Sequence, residues 1–339
     1  MAASPTPLSE SSIKTRFLIL SDTHGMEFPP ESQPHCHADV AIHCGDLTEE
    51  SKLAEFRTSL QVLKSIDASL KLVIAGNHDF TLDIPMFKKK VAEARPPLEP
   101  DLVAREYGVF GEARELLDQA NDAGIVFLDE GTHRFILKNG SALTVYASPY
   151  TPSLGDWGFE YNPQKGHKFS VEKGTDIVIT HGPPKGIMDL TDARERAGCP
   201  DLFAAVARTR PSLHCFGHIH EGWGARLVTW REKISDTPSH FTDIDNGKSV
   251  VVESLAGFKR SKFYDDKTAR GQADKARSCA KARCCHTSHC SGDEHSLEMG
   301  YQTLFVNAAI KGDEGQPMQL PWLVDIELRP ARPNGENRV

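Results

Sequence analysis

Leu70-Lys71-Leu72-Val73-Ile74-Ala75-Gly76-Asn77-His78-Asp79 is an apolar run of strand length that stops at a polar block. A strand ending this way delivers its polar side chains to one edge of a sheet. The pattern recurs along the chain. Phe17–Leu20 leads into Ser21-Asp22-Thr23-His24, and residues 38–44 lead into Gly45-Asp46. Residues 176–179 lead into Thr180-His181-Gly182, and Leu213–Phe216 leads into Gly217-His218-Ile219-His220. Together the blocks supply two Asp, one Asn and several His, the oxygen and imidazole donors that two adjacent transition-metal ions need.

Composition sets the frame around these blocks. With 339 residues, 25% charged and 39% hydrophobic, the chain has the make-up of a globular protein able to bury a substantial core, in one large α/β domain or two small ones. A net charge of -8 argues against a general nucleic-acid binder, whose affinity rests on clustered Lys and Arg. Apolar runs such as Phe17–Leu20 and Leu72–Ala75 are strand-sized and too short to cross a membrane, so no membrane partner is expected. The first residues, Met1–Ser12, are rich in Ser and Pro without an apolar signal region, which predicts a disordered leader (1–13) and a cytoplasmic protein. Residues 331–339 are read as a tail. Cys36, Cys44, Cys199 and Cys215 are scattered, as buried thiols in a reducing compartment would be.

Between the strand-like runs at 38–44 and 70–75, Leu53, Phe56, Leu60 and Leu63 recur at helical spacing and predict one apolar stripe facing a sheet. Further helices are expected over 82–93, 111–123 and 202–208, the first two separated by a Pro-rich turn at Arg95–Pro100. Strands are expected over 125–128, 135–138 and 142–147, with Asn139-Gly140 as a hairpin turn, and later at 226–230, 249–253, 302–307 and 322–328. A single sheet would have to carry about ten strands, near the limit for an open twisted sheet, so two packed sheets with helices outside are predicted. Residues 14–330 then form one domain. The segment 259–300 lacks apolar periodicity and carries nine Lys or Arg against three Asp up to Arg283, so it reads as a mobile inserted loop whose basic flank offers contacts to anionic partners.

Each block has a chemical reading. Asp22 and His24, one residue apart on an extended chain, point to the same side and reach one metal. Asp46 brings a carboxylate that can bridge two ions, with Gly45 allowing close backbone approach. Asn77 offers an amide oxygen, and His78 points away from it toward a substrate. His181, His218 and His220 add imidazoles, the last two again two residues apart. Converging Asp and His without a metal would leave buried charge poorly compensated.

The order Asp-x-His, Gly-Asp, Gly-Asn-His-Asp, His-Gly and Gly-His-x-His resembles the calcineurin-like metallophosphoesterase superfamily over nearly the whole chain. Ser148–Pro152, Trp157-Gly158-Phe159, Thr180–Pro184, Gly198-Cys199 and Phe216–Gly222 are similar to its metallophosphoesterase-domain-containing (239-family) branch, whose members are regarded as class III type cyclic-nucleotide phosphodiesterases. The resemblance implies an α/β fold, a four-layer α/β/β/α sandwich of two mixed β-sheets flanked by helices. It implies that Asp22, His24 and His220 hold one ion, that Asn77, His181 and His218 hold a second, and that Asp46 bridges them. His78 would be the acid that assists the leaving oxygen. In some vertebrate members of the branch the position matching His218 is glycine; the histidine here completes the set. The implied activity is hydrolysis of phosphodiesters, cyclic nucleotides or similar small molecules, by in-line attack of a hydroxide bridging two ions roughly 3.5–4 Å apart. The mixed oxygen and imidazole donors suit Mn, Fe or Zn. A phosphomonoesterase or protein phosphatase on the same scaffold, or a protein that keeps the fold without catalysis, are the rival readings.

Three features keep two readings each. Asp79 either orients a ligand imidazole or caps the following turn. Trp157, Phe159 and Tyr161 are core aromatics or a wall for a base. Cys279, Cys284, Cys285 and Cys290, with His286, His289 and His295, follow a C-x4-C-C-H-x2-H-C spacing unlike the usual C-x2-C pairs of zinc sites, so the cluster is a thiol-rich loop or has a structural or redox role.

Overall fold

The computed structural model describes residues 12–29, 33–258, 265–312 and 318–332. The leader up to residue 11, residues 259–264 and the tail from 333 lie outside them. The chain begins with β1 (Ile13–Leu20), β2 (Ala38–His43), α1 (Leu53–Ser65) and β3 (Ala68–Val73). Then come α2 (Ile84–Glu93), α3 (Pro100–Tyr107), α4 (Glu112–Asp118), β4 (Ile125–Phe127), β5 (Gly131–Ile136) and β6 (Ala142–Ser148). The short β7 (Thr151–Pro152) and β8 (Glu160–Tyr161) pair with each other and precede β9 (Ile177–Thr180), α5 (Pro200–Thr209) and β10 (Leu213–Phe216). The last part holds β11 (Gly224–Thr229), β12 (Val250–Ser254), α6 (Leu255–Phe258), α7 (Asp266–Ala282), β13 (Cys285–Ser288), β14 (Gln302–Asn307) and β15 (Trp322–Leu328).

The strands form two large mixed sheets, ordered β13-β15-β1-β2-β3-β4 and β12-β11-β14-β10-β9-β6-β5. Their side chains alternate between two buried faces. Phe17 and Ile19 of β1, Ile177 and Ile179 of β9, and Leu304 and Val306 of β14 fill one core between the sheets. Leu18 and Leu20 turn outward onto Leu53, Phe56, Leu60 and Leu63 of α1 and Ala113 and Leu117 of α4. Val178, Phe216 and Phe305 turn outward on the other side onto Leu202, Phe203 and Val206 of α5. Burial on both faces is why these strands read as continuous apolar runs rather than alternating ones. The result is the expected four-layer α/β/β/α sandwich.

The parallel pairs align strand ends. Leu20 of β1 is level with His43 of β2, and His43 with Val73 of β3. Thr180 of β9 is level with Ser148 of β6 in the other sheet. The loops carrying the polar blocks therefore leave both sheets along the carboxyl edges of their parallel strands, where open α/β sheets bind ligands. The hairpin at Asn139-Gly140 forms, with Gly140 at φ 88° and its N–H donated to Leu137 O.

The stretch 259–300 needs correction. Among its described residues are α7 and β13, and β13 pairs in parallel with β15 at the edge of the first sheet. Ala, Lys, Arg and Gln over 266–282 are strong helix formers that need no apolar stripe, and a four-residue strand is too short to show a period. The Pro-rich stretch near Pro100 also starts α3, since proline fits the first turn of a helix. No helix among the described residues is long and apolar enough to cross a membrane.

Candidate metal centre

Asp22, His24, Asp46 and His218 are all left-handed, with φ of 58°, 47°, 53° and 67°. This conformation costs an L-residue on the order of 1–2 kcal/mol, and such residues collect at functional sites. It also corrects the spacing argument. Asp22 and His24 do not align through strand alternation, because the backbone has already left the extended region at Asp22. His218 and His220 do not face one way either; they serve different clusters.

In the first cluster His220 Nε2 stands 3.3 Å from Asp22 Oδ1, and His24 Nε2 stands 4.0 Å from the same oxygen. In the second, His181 Nε2 is 3.4 Å from Asp46 Oδ1 and 2.9 Å from Asn77 Oδ1, and the His218 ring lies 4.9 Å from that of His181. Asp46 joins the two, since its other oxygen, Oδ2, is 3.7 Å from His24 Nε2. Metal-competent groups arise as Asp22/His24/His220, Asp46/His181/His218 and His24/Asp46/His78.

Close backbone approach makes this possible at two glycines. A Cβ on Gly76 would stand 2.2 Å from Asp46 Oδ1 and 2.7 Å from His181 Cε1. One on Gly217 would stand 2.0 Å from Asp22 Oδ2. His218 N–H, next to Gly217, donates to both oxygens of Asp22 at 3.1 Å, which ties the second sheet's loop to the first sheet's carboxylate.

Surrounding groups set orientation. His181 Nδ1–H donates to Cys44 O at 2.9 Å, leaving Nε2 as the atom offered to the cluster. His78 donates its backbone N–H to Asp46 Oδ1 at 2.9 Å and its ring Nδ1–H to Glu49 O at 2.7 Å. Its ring lies against Trp157, with centroids 4.2 Å apart. Phe159 packs instead with Tyr150, and Tyr161 with His167 and Phe169, so of the three aromatics only Trp157 reaches the site. Asp79 does neither of the things expected of it. Fully buried, it accepts from Gly76 N–H at 2.8 Å, Leu47 N–H at 3.1 Å, Thr48 N–H at 3.0 Å and the Thr48 hydroxyl at 2.7 Å. It braces the loop after Asp46 against the one carrying Asn77 and touches no ligand imidazole. Burial, with Asp46 nearby, pushes its carboxyl up to about 7.

Electrostatics hold Asp22, Asp46, His24 and His218 in their metal-binding forms. Burial alone would raise Asp22 and Asp46, yet hydrogen bonding to His220 in one case and the charge of His181 in the other hold both well below the usual carboxylate range. Burial holds His24 and His218 down to about 4, so each is a neutral imidazole at pH 7. Burial opposes protonation of His181 too, but the Asp46 carboxylate outweighs it and the group sits at about 9. A cation on Asp46 would compete for that proton. Neither ring nitrogen of His24 has a hydrogen-bond partner, although both are buried and Glu49 Oε2 lies 3.0 Å from Nδ1 at an unsuitable angle. The buried Nε2, 3.7 Å from Asp46 and 4.0 Å from Asp22, is too far from either carboxylate to hydrogen bond and suitably placed to share an ion with them.

The sequence profile of the calcineurin-like phosphoesterases matches residues 15–222, more than half of the chain. The chain belongs to the calcineurin-like phosphoesterase family. Human metallophosphoesterase domain-containing protein 1 is 33% identical over 221 residues, covering 62% of this chain and 62% of that protein. The UPF0046 protein T07D4.2 of Caenorhabditis elegans is 29% identical over 225 residues, covering 62% of this chain and 52% of its own length. The matched part is thus less than two thirds of either relative. The crystal structure of TT1561 from Thermus thermophilus superposes with a TM-score of 0.40 at 11% identity, covering 61% of this chain and 82% of that one.

As a member of this phosphoesterase family the chain carries His/Asp clusters that fit a dinuclear divalent metal site. Sequence reasoning missed two of its neighbours. Glu49 reaches His24 and is paired with Lys311, which comes from the loop after β14. Glu49 follows Asp46 by three residues and could have been flagged by that position; Lys311, distant in sequence, carried no signal.

Proposed function

We propose that this protein is a dinuclear-metal-dependent phosphoesterase that prefers phosphodiesters, cyclic nucleotides or similar small molecules, and acts in the cytoplasm. One observation carries the reading: Asp46 presents Oδ2 to the His24 side and Oδ1 to the His181 side, at 3.7 and 3.4 Å, as a carboxylate bridging two cations does. Asp22, His24 and His220 would hold one ion, and Asn77, His181 and His218 the other, with Mn, Fe or Zn suited to the donors. Two such ions supply Lewis acidity toward a phosphoryl oxygen and lower the pKa of water.

The remaining work falls to this chain's own side chains. His78, with Nδ1–H committed to Glu49 O, has Nε2 left to carry a proton to the departing oxygen. The Trp157 stack and the Asp46 contact to its backbone fix where that ring stands. Trp157, with the Lys90 ammonium 4.9 Å from its ring centre, places an aromatic surface and a cation beside the acid, suited to a nucleotide. The preference for a diester is supported by the Thr180–Pro184 and Phe216–Gly222 contexts.

The test is an assay of metal-loaded protein, supplemented with Mn, on a nitrophenyl phosphodiester, the matching monoester, and 2′,3′- and 3′,5′-cyclic AMP. Diester or cyclic nucleotide turnover above monoester turnover is expected. Monoester turnover far above every diester would reverse the substrate class, and no turnover would favour a non-catalytic scaffold. His78→Ala should keep its metals and lose rate by about 100-fold or more; loss of metal would show His78 to be a ligand.

A further inference from the structure

A second meeting of reactive side chains lies away from the metal centre, where α7 and β13 join the first sheet. Cys279 Sγ of α7 is 3.9 Å from Cys285 Sγ at the start of β13. The neighbouring thiol, Cys284, lies in the apolar layer against which Cys36, just before β2, is packed. The two consecutive cysteines thus find partners on opposite faces of the sheet. Cys279 and Cys285 belong to the layer between the sheets, while Cys284 packs with Leu18, Leu20 and α1. Arg283 donates to Gln33 O at 3.1 Å, so a further contact holds the 33–36 segment against this turn.

We propose that Cys279–Cys285 and Cys36–Cys284 are two disulfide-forming pairs that staple the α7–β13 extension to the sheet when a low-molecular-weight disulfide oxidises them. Residues on opposite faces cannot share one ion, and among the described residues no metal-competent group of donors includes a cysteine, which sets a zinc knuckle aside. Closing Cys279–Cys285 requires its sulfurs, 3.9 Å apart, to approach by about 2 Å, within reach of side-chain rotation.

Chemistry and need point the same way. Hydrogen bonding from Cys285, with Lys275 adding its charge, lowers Cys279 to about 7, and hydrogen bonding from Cys284, with Arg16 nearby, lowers Cys36 to about 7. Each pair therefore contains one thiol able to attack near neutral pH. Cys44 and Cys215 form an internal control. They too share one cluster, but they are completely buried between the sheets, and burial raises Cys44 well above the ordinary thiol value. Closed off from solvent on every side, that pair is out of reach of glutathione and stays reduced. The extension gains from a staple because β13 is a four-residue edge strand with β15 as its sheet neighbour, while α7 buries little of its length.

The exchange balances. A Cys279 or Cys36 thiolate attacks one sulfur of oxidised glutathione and expels glutathione thiolate. Cys285 or Cys284 then attacks the protein sulfur of the mixed disulfide and expels the second glutathione. Each pair loses two electrons and two protons, and one oxidised glutathione becomes two reduced ones.

The full-length protein is equilibrated at pH 8 with oxidised glutathione, then denatured, alkylated with iodoacetamide and mapped by mass spectrometry. Alkylatable thiols should fall from the eight of the sequence to Cys44, Cys199, Cys215 and Cys290, with peptides linked 279–285 and 36–284. Oxidised protein should melt several degrees higher than reduced protein. Eight alkylated cysteines, or links in another pairing, would overturn the proposal. Cys36→Ser serves as a second check: it should free Cys284 for alkylation and leave the 279–285 link intact, and loss of both links would show that the pairs are not independent.

Discussion

At the scale of single residues, the centre depends on groups whose identity was visible and whose conformation was not. The donors Asp22, His24, Asp46, Asn77, His181, His218 and His220 were all named by their positions at strand ends, and the structure gathers them. The reason offered for their alignment failed, because four of them are left-handed rather than extended. Space explains the glycines: Gly76 has Asp46 Oδ1 within 2.2 Å of where a Cβ would stand. Gly76→Ala is therefore expected to push Asp46 and His181 off position, halve the metal bound per chain and cut phosphoesterase activity by about 100-fold. Elemental analysis of the purified variant beside the wild type checks this, and an unchanged metal content would show that the loops relax around the methyl group. Asp79 was legible as important and illegible in role, since its partners are backbone N–H groups that no side-chain pattern announces.

Elements were read best where an apolar period was present. The α1 stripe of Leu53, Phe56, Leu60 and Leu63 does face the first sheet, and Phe56 is completely buried in that layer. Phe56→Ala should cost about 3–5 kcal/mol of stability, by lost burial and the cavity left behind. Urea unfolding measures it, and a loss below about 1 kcal/mol would mean that the helix layer contributes little packing. The α7–β13 segment was misread as a loop because its helix relies on propensity rather than a stripe, and its strand on a single neighbour. Pairing between Cys285–Ser288 and Trp322–Asp325 spans dozens of residues, and local sequence holds no record of such a partner.

For the molecule as a whole, pH dependence follows from what the two sheets enclose. His214 is completely buried, and burial alone holds it down to about 3. The Thr180 hydroxyl gives its proton to Gly182 O at 2.7 Å, so it accepts from His214 Nε2–H at 2.9 Å and fixes a neutral ring. A depressed histidine binds its proton in the unfolded chain first. Stability is then lost as pH falls from about 6.5 toward 3, by about 1.4 kcal/mol per pH unit. His214→Phe should reduce that slope by one proton, as read from urea unfolding between pH 4 and 7; equal slopes would place the proton uptake elsewhere. By itself the sequence determined the layered α/β class, the donor types and their order, because each rests on local patterns of strand, turn and side-chain chemistry. Only the tertiary structure decided which donors share a cluster, that Asp46 faces both, that Trp157 and Glu49 hold His78, and that Cys36 lies in the layer of the far-off Cys284. These depend on register and on two sheets meeting face to face, and the free energy of such contacts belongs to residue pairs far apart in the chain.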